Sequence, residues 1–140
     1  MIITEALLCL SLNIYHEARS EGYDGMAAVA IVTMNRAGGQ EERICEEVFR
    51  PKQFSWANSL TTVSPQQRIK NAPRFAPKDK AAWAAAKVVA HQALTGQLSS
   101  HIRARVSKAD HYYNPDKANP RWKDSMHRIS RIGDHVFFKG

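Results

Sequence analysis

The stretch that decides the fold is Glu5-Ala6-Leu7-Leu8-Cys9-Leu10-Ser11-Leu12-Asn13-Ile14-Tyr15-His16-Glu17, answered a few residues later by Met26-Ala27-Ala28-Val29-Ala30-Ile31-Val32-Thr33-Met34. Each run is apolar nearly all round at helical spacing, and a helix without a polar face belongs in an interior. The two runs predict helices over residues 3–21 and 25–37, paired at the centre of the molecule. Gly22 and Gly25 punctuate the turn between them, and Asp24 is expected to cap the second helix. Outward from this pair, residues 41–49 read as a short third helix stopped by Pro51. Residues 58–78 carry Pro65, Pro73 and Pro77 among polar residues and read as a long irregular segment, of the kind often used functionally. Asp79 has the chemistry to cap a helix over Lys80 to Leu94, closed by Gly96. The end of the chain is aromatic and rich in turns; its final residues predict one strand, with Tyr112-Tyr113 as partner. The expected fold class is therefore mainly α (α+β), with a small C-terminal β element, in one domain spanning 1–140.

One residue contradicts its surroundings. At about 100° per residue, Ile3, Ala6, Leu10 and Ile14 project within about 60° of one direction, and Glu17 projects with them. A carboxyl buried without a cationic partner has its pKa raised, because burial disfavours the charged form. That is the property a general acid needs near neutral pH. The other reading places Glu17 in a last turn at the surface, paired with Arg19 or Arg36. The helical wheel does not separate the two.

Other chemistries are poorly provided for. His16-Glu17 opens like a zinc-protease motif, but Ser20 stands where the second ligand belongs, and the six histidines include no i, i+4 pair. No metal and no cofactor are expected. Ser55 and Ser59 lack the context of a nucleophile elbow, and there is no glycine-rich phosphate loop. Cys9 and Cys45 are the only cysteines; with Cys9 inside an apolar run, buried free thiols are expected. The net charge is +7, and Arg103, Arg105, Lys108, Lys117, Arg121, Lys123, Arg128 and Arg131 concentrate the excess in the last third. Such a face is either simply solvated or a surface for polyanions: nucleic acid, lipid headgroups or anionic envelope polymers. Tyr15, Tyr23, Trp56, Tyr112, Tyr113 and Trp122 lie near Asn35, Gln53, Asn114 and Asn119. Flat rings and amides suit a saccharide groove, although ring packing in a core or stacking on single-stranded nucleic acid would use the same residues.

The run Tyr15-His16-Glu17-Ala18-Arg19-Ser20-Glu21-Gly22-Tyr23-Asp24-Gly25-Met26-Ala27-Ala28-Val29-Ala30, continuing to Met34-Asn35-Arg36, resembles the opening of SleB-type cell-wall hydrolases. Gln53-Phe54-Ser55-Trp56, Tyr112-Tyr113-Asn114-Pro115 and Ile132-Gly133-Asp134-His135-Val136-Phe137 resemble that family's later blocks, in the same order. The resemblance implies a lysozyme-like domain that acts on the glycan strands of bacterial peptidoglycan as a lytic transglycosylase. It also implies that Glu17 is catalytic and that Gln53, Ser55, Tyr112, Tyr113 and Asn114 line the groove. Asp24 and Glu21 are the nearest second carboxylates for a hydrolytic muramidase, but read better as a cap and a turn residue. An amidase would want zinc ligands. A basic module for nucleic acid or lipopolysaccharide would account for the charge and not for Glu17. The N-terminus has no signal-peptide pattern, and no dedicated wall-binding domain is evident. A short, basic member of this kind resembles a phage endolysin, a monomer held in the host cytoplasm until a holin releases it to the wall.

Overall fold

The computed structural model describes residues 4–50 and 77–140; Gln53, Ser55, Trp56 and the expected irregular stretch up to residue 76 lie outside them. Helix α1 (Glu5–Ala18) opens on Thr4, whose side chain accepts the Leu7 N–H at 3.1 Å. Helix α2 (Gly22–Arg36) follows after only three residues. The connection is this short because Gly22 takes φ +71° and turns the chain directly into α2. Asp24 consequently lies inside the first turn instead of capping it; there its carboxylate complements the helix dipole. A 3₁₀ turn (Glu41–Arg43) leads into α3 (Ile44–Val48). Helix α4 (Lys80–Leu94) starts where Asp79 accepts the Ala82 N–H at 3.0 Å, and the chain leaves it through Gly96 at φ +70°.

The expected burial of the first two helices is complete in their middles: Leu10, Leu12, Ile14, Val29 and Val32 have essentially no exposed surface. Helix α4 lies across both, and the short α5 (Ser100–Val106) packs on α2. Cys9 and Cys45 correct the expectation of free thiols. Packing of α3 on α1 brings their Cα atoms to 5.2 Å, and the two form a disulfide. Spacing of 36 residues along the chain gives no sign of that proximity.

The expected β element has three strands where the sequence offered two. Strands β1 (His111–Tyr113), β2 (His127–Ile132) and β3 (His135–Lys139) form an antiparallel sheet in the order β1-β3-β2. Strand β3 is central and buried on both faces. Its register pairs Tyr112 with Phe137 and Tyr113 with Val136. Cross-strand partners share a face and successive residues alternate, so Tyr112, His135 and Phe137 face the helices. Phe137 joins the helical core. On the outer face Tyr113 and Phe138 stack at 5.7 Å, and Trp122, from a 3₁₀ turn (Arg121–Asp124), covers them.

Candidate active site

Glu17 occupies the last turn of α1, half buried, at the seam between the helices and the sheet. Four groups face it: the Tyr112 phenol from β1, His135 from β3, Glu21 from the α1–α2 turn, and Lys117 from the turn after β1. Desolvation is the largest influence on its carboxyl and pushes the pKa up. His135, the Tyr112 phenol and Lys117 pull it down, Glu21 pushes it up, and the net shift is upward. The two arginines offered as partners by the sequence are engaged elsewhere. Arg19 donates to the Tyr15 hydroxyl at 3.2 Å, and Arg36 lies 3.4 Å from Glu47. Glu17 is therefore paired with neither arginine and sits half buried among Tyr112, His135, Glu21 and Lys117.

The tyrosine pair is divided by strand alternation. Tyr112 is half buried, with its hydroxyl out of solvent, and faces Glu17, Asn13 and the His135 ring, whose centroid is 5.0 Å away. Tyr113 lies on the opposite face, packed on Trp122 and Phe138, and takes no part in the Glu17 cluster. Asn114 uses its side-chain oxygen to accept the Asp116 N–H at 2.9 Å, which shapes the turn carrying Lys117.

Sequence reasoning missed the clasp formed by Glu21 and His135. Glu21 is more than a turn residue. Its side chain is 4 % exposed, it accepts the Asp134 N–H at 3.0 Å, and its other oxygen lies 2.8 Å from His135 Nδ1. The ring nitrogen is approached obliquely, so this contact is electrostatic more than a linear hydrogen bond. Gly133, at φ +58° in the β2–β3 turn, makes room for it: a Cβ there would stand 2.6 Å from Glu21 Oε1. The glycine in Ile132-Gly133-Asp134-His135 was the available signal, but its partner is over a hundred residues away.

Every carboxylate of the chain lies among the described residues, since positions 1–3 and 51–76 hold no Asp or Glu. Glu21 is the one other acid that acts on Glu17, and it is committed to the hairpin. Asp24 is exposed in the first turn of α2. No three His, Cys, Asp or Glu side chains cluster as metal ligands among the described residues.

A mainly α body with a half-buried acid at the seam between its central helix and a small sheet defines the class. The chain belongs to the Cell Wall Hydrolase family, whose model matches residues 20–138. The matched span begins just after Glu17. Among curated proteins, the chain is 30% identical over 127 residues to a spore cortex-lytic enzyme of Halalkalibacterium halodurans, covering 89% of the chain and 32% of that protein. It is 31% identical over 128 residues to one of Oceanobacillus iheyensis, covering 90% and 38%. The chain thus spans between a third and two fifths of the length of these relatives. Among solved structures, the fold matches the catalytic domain of the germination-specific lytic transglycosylase SleB from Bacillus anthracis. That match has a TM-score of 0.68 at 24% identity and covers 99% of this chain and 97% of that one. The catalytic domain of the Bacillus cereus SleB protein matches with a TM-score of 0.66 at 24% identity, covering 99% and 93%.

Proposed function

We propose that residues 1–140 act as one catalytic unit, a monomer that cleaves the MurNAc–GlcNAc bond of peptidoglycan as a lytic transglycosylase. The observation that carries this reading is a single half-buried acid with a raised pKa and no uncommitted carboxylate beside it. Protonated Glu17 gives its proton to the bridging oxygen. The bond from MurNAc C1 breaks, its electron pair leaves with GlcNAc, and the ring passes through an oxocarbenium-like state. The Glu17 carboxylate then takes the proton of the C6 hydroxyl as that oxygen bonds to C1, closing a 1,6-anhydro ring. One group serves as acid and then base, so no second carboxylate is required. A hydrolytic muramidase would need Glu21 for water or nucleophile chemistry, and Glu21 is already held by Asp134 and His135. Its similarity to spore cortex-lytic enzymes supports a wall polymer as substrate. Gln53, Ser55, Tyr112, Tyr113 and Asn114 remain the proposed groove residues, with Tyr112 in contact with the acid.

Mass spectrometry of muropeptides released by wild type and by Glu17→Gln tests this. Products lighter by one water than their reducing counterparts, and absent with the variant, are expected. Reducing MurNAc ends would make the enzyme a muramidase; intact glycan with freed stem peptides, or full activity in the variant, would refute the mechanism.

The basic last third is read as a surface for anionic envelope polymers. The acid-free stretches 95–109 and 125–133 meet where Arg105 Nη2 donates to the Arg131 carbonyl at 2.9 Å and Ser130 Oγ to the Arg105 carbonyl at 3.1 Å. Arg103, Arg105, Lys108, Arg128 and Arg131 are all exposed there. Retention on phosphate-bearing wall polymer should fall steeply with salt, as the Debye length shrinks below about 10 Å beyond 0.1 M; salt-independent retention would reject the surface.

The same reading makes the chain a phage lysis enzyme, held in the host cytoplasm until a holin opens the way to the wall. The Cys9–Cys45 disulfide fits action in an oxidising compartment outside the cytoplasm. Expression alone should leave cells intact and co-expression with a holin should lyse them; lysis without the holin would reject this route.

A further inference from the structure

Across the end of α1 from Glu17, a groove runs between the α1–α2 corner and α4 that the proposed reaction does not use. It measures about 460 Å³, within the range of small-ligand sites, and Met26 and Val89 form its buried floor. Tyr23, 39 % exposed, and Val88, 51 % exposed, are the two large apolar residues left at the surface among the described ones, and both line it. Tyr23 is fixed there, because its hydroxyl accepts the Ser99 N–H at 2.9 Å. Single apolar residues are ordinary on a surface, but here the two converge on one concavity.

One end of the groove is charged. Arg19 and Asp79 line it, and both are tied to the buried Tyr15 hydroxyl, which accepts from Arg19 Nη1 at 3.2 Å and from the Asp79 N–H at 3.1 Å. The guanidinium also lies over the Tyr15 ring, 5.5 Å from its centroid. Arg19 is thus held in place while its side chain stays exposed, with N–H groups left to donate. Every carboxylate of the chain is among the described residues, and none makes an ion pair with Arg19. Asp79 uses one carboxylate oxygen to accept the Ala82 N–H that starts α4 and keeps the other. A fixed cation and a fixed anion therefore stand side by side at the rim of an apolar groove.

We propose that this groove is a subsite for the stem peptide of peptidoglycan, in which Arg19 takes a carboxylate, Asp79 the ammonium of the diamino acid, and Tyr23 and Val88 flank alanine methyls. The subsite rests on the reading of peptidoglycan as substrate. Stem peptides combine the groups for which the groove has partners: small methyl side chains, free carboxylates and, at a diamino acid not yet cross-linked, an ammonium beside a carboxylate. The neutral sugars of the strand carry neither charge, and a polyanion would be repelled by Asp79. The distance to be covered is short. Glu17 and Arg19 are two residues apart, so their Cα atoms lie within about 7 Å, and a peptide hung from the MurNAc beside Glu17 advances about 3.5 Å per residue. The turn it rounds presents Ser20 and Gly22, both small and exposed, and even a Cβ on Gly22 would meet nothing within 4 Å.

The test is an NMR titration of the protein with the free tetrapeptide L-Ala-γ-D-Glu-meso-diaminopimelate-D-Ala, which needs no turnover. Shifts should concentrate on the Arg19 Nε–H, the Tyr23 ring and the Val88 methyls. Arg19→Gln should weaken binding about tenfold. Val88→Glu, at an exposed helical position where folding is not at stake, should weaken it by a similar factor by repelling the carboxylates. The same peptide with lysine in place of diaminopimelate lacks the distal carboxylate and should bind wild type about tenfold more weakly. Absent shifts, shifts that avoid the groove, or undiminished binding to Arg19→Gln would overturn the subsite. Binding in the groove by a protein whose digests leave the glycan intact would support the subsite and refute the proposed cleavage.

Discussion

Glu21→Ala separates the helices from the sheet at one point, and the structure gives the cost. The side chains of Glu21 and His135 are 4 % and 8 % exposed, so solvent screens their contact little. The substitution removes a charge-assisted hydrogen bond to the Asp134 N–H, worth about 1.5–3 kcal/mol, and strands a buried partner, which costs about 3–5 kcal/mol where the stranded group stays charged. His135 keeps its ring contacts with Tyr112 and Phe137, so the lower end applies and about 3 kcal/mol is expected. At about 3 °C per kcal/mol for a chain of this size, the melting midpoint should fall by about 10 °C. Glu21→Gln keeps an acceptor for the backbone N–H and should lose about a third of that. Activity carries a second readout. Glu21 pushes the Glu17 pKa up, so its neutralisation should move the alkaline limb of activity to lower pH. Thermal melts by circular dichroism and turbidity assays on purified walls across pH measure both. A Glu21→Ala protein that melts within about 2 °C of wild type would refute the clasp.

Three further outcomes follow from the same geometry. Glu17→Gln should reduce activity about a thousandfold while raising stability at neutral pH. The native carboxyl's raised pKa means that the folded state holds its proton longer than the unfolded one, so stability falls as pH rises from the unfolded through the folded pKa. The gain should vanish below the unfolded value, and melts at acid and neutral pH check it. Reduction of Cys9–Cys45, which closes a span of 36 residues, should cost about 3–4 kcal/mol, read as a lower denaturation midpoint in reductant. At Asp110, burial pushes the carboxyl up, but hydrogen bonds from His111, the Gly140 N–H and Lys139 overcome it and hold the pKa at about 2. Its stabilisation is present above the unfolded value and is lost as pH falls from about 4 to about 2. Asp110→Asn should flatten that part of the acid-unfolding curve.

The legible parts of the fold were those decided locally. Leu7 to Ile14 and Met26 to Val32 announce buried helices because apolarity on every side leaves no surface role. Asp79 and Gly96 mark the ends of α4 because capping is chemistry within one turn. Glu17 stood out for the same reason: its neighbours on the helix are known from spacing alone. Long-range pairings left no such trace. Strand β2, His127-Arg128-Ile129-Ser130-Arg131-Ile132, carries too many cations to read as a strand, and it forms because β3 supplies a partner edge. That Tyr112 and not Tyr113 meets Glu17 depends on register against Phe137, and Glu21 meets His135 through a contact separated by more than a hundred positions. The disulfide depends likewise on how α3 lies on α1.

The Asp134–Glu21 bond spans 113 positions of sequence, and that separation dictates when the surroundings of Glu17 can form. Helices α1 and α2 are neighbours in sequence and can pair as soon as both exist, whereas contacts between distant segments are the slow ones to form. During synthesis Glu17 is made well before Tyr112, His135 and the hairpin that close around it. The half-buried setting of Glu17 consequently waits for the hairpin, and a chain cut before it carries Glu17 as an ordinary solvated carboxylate.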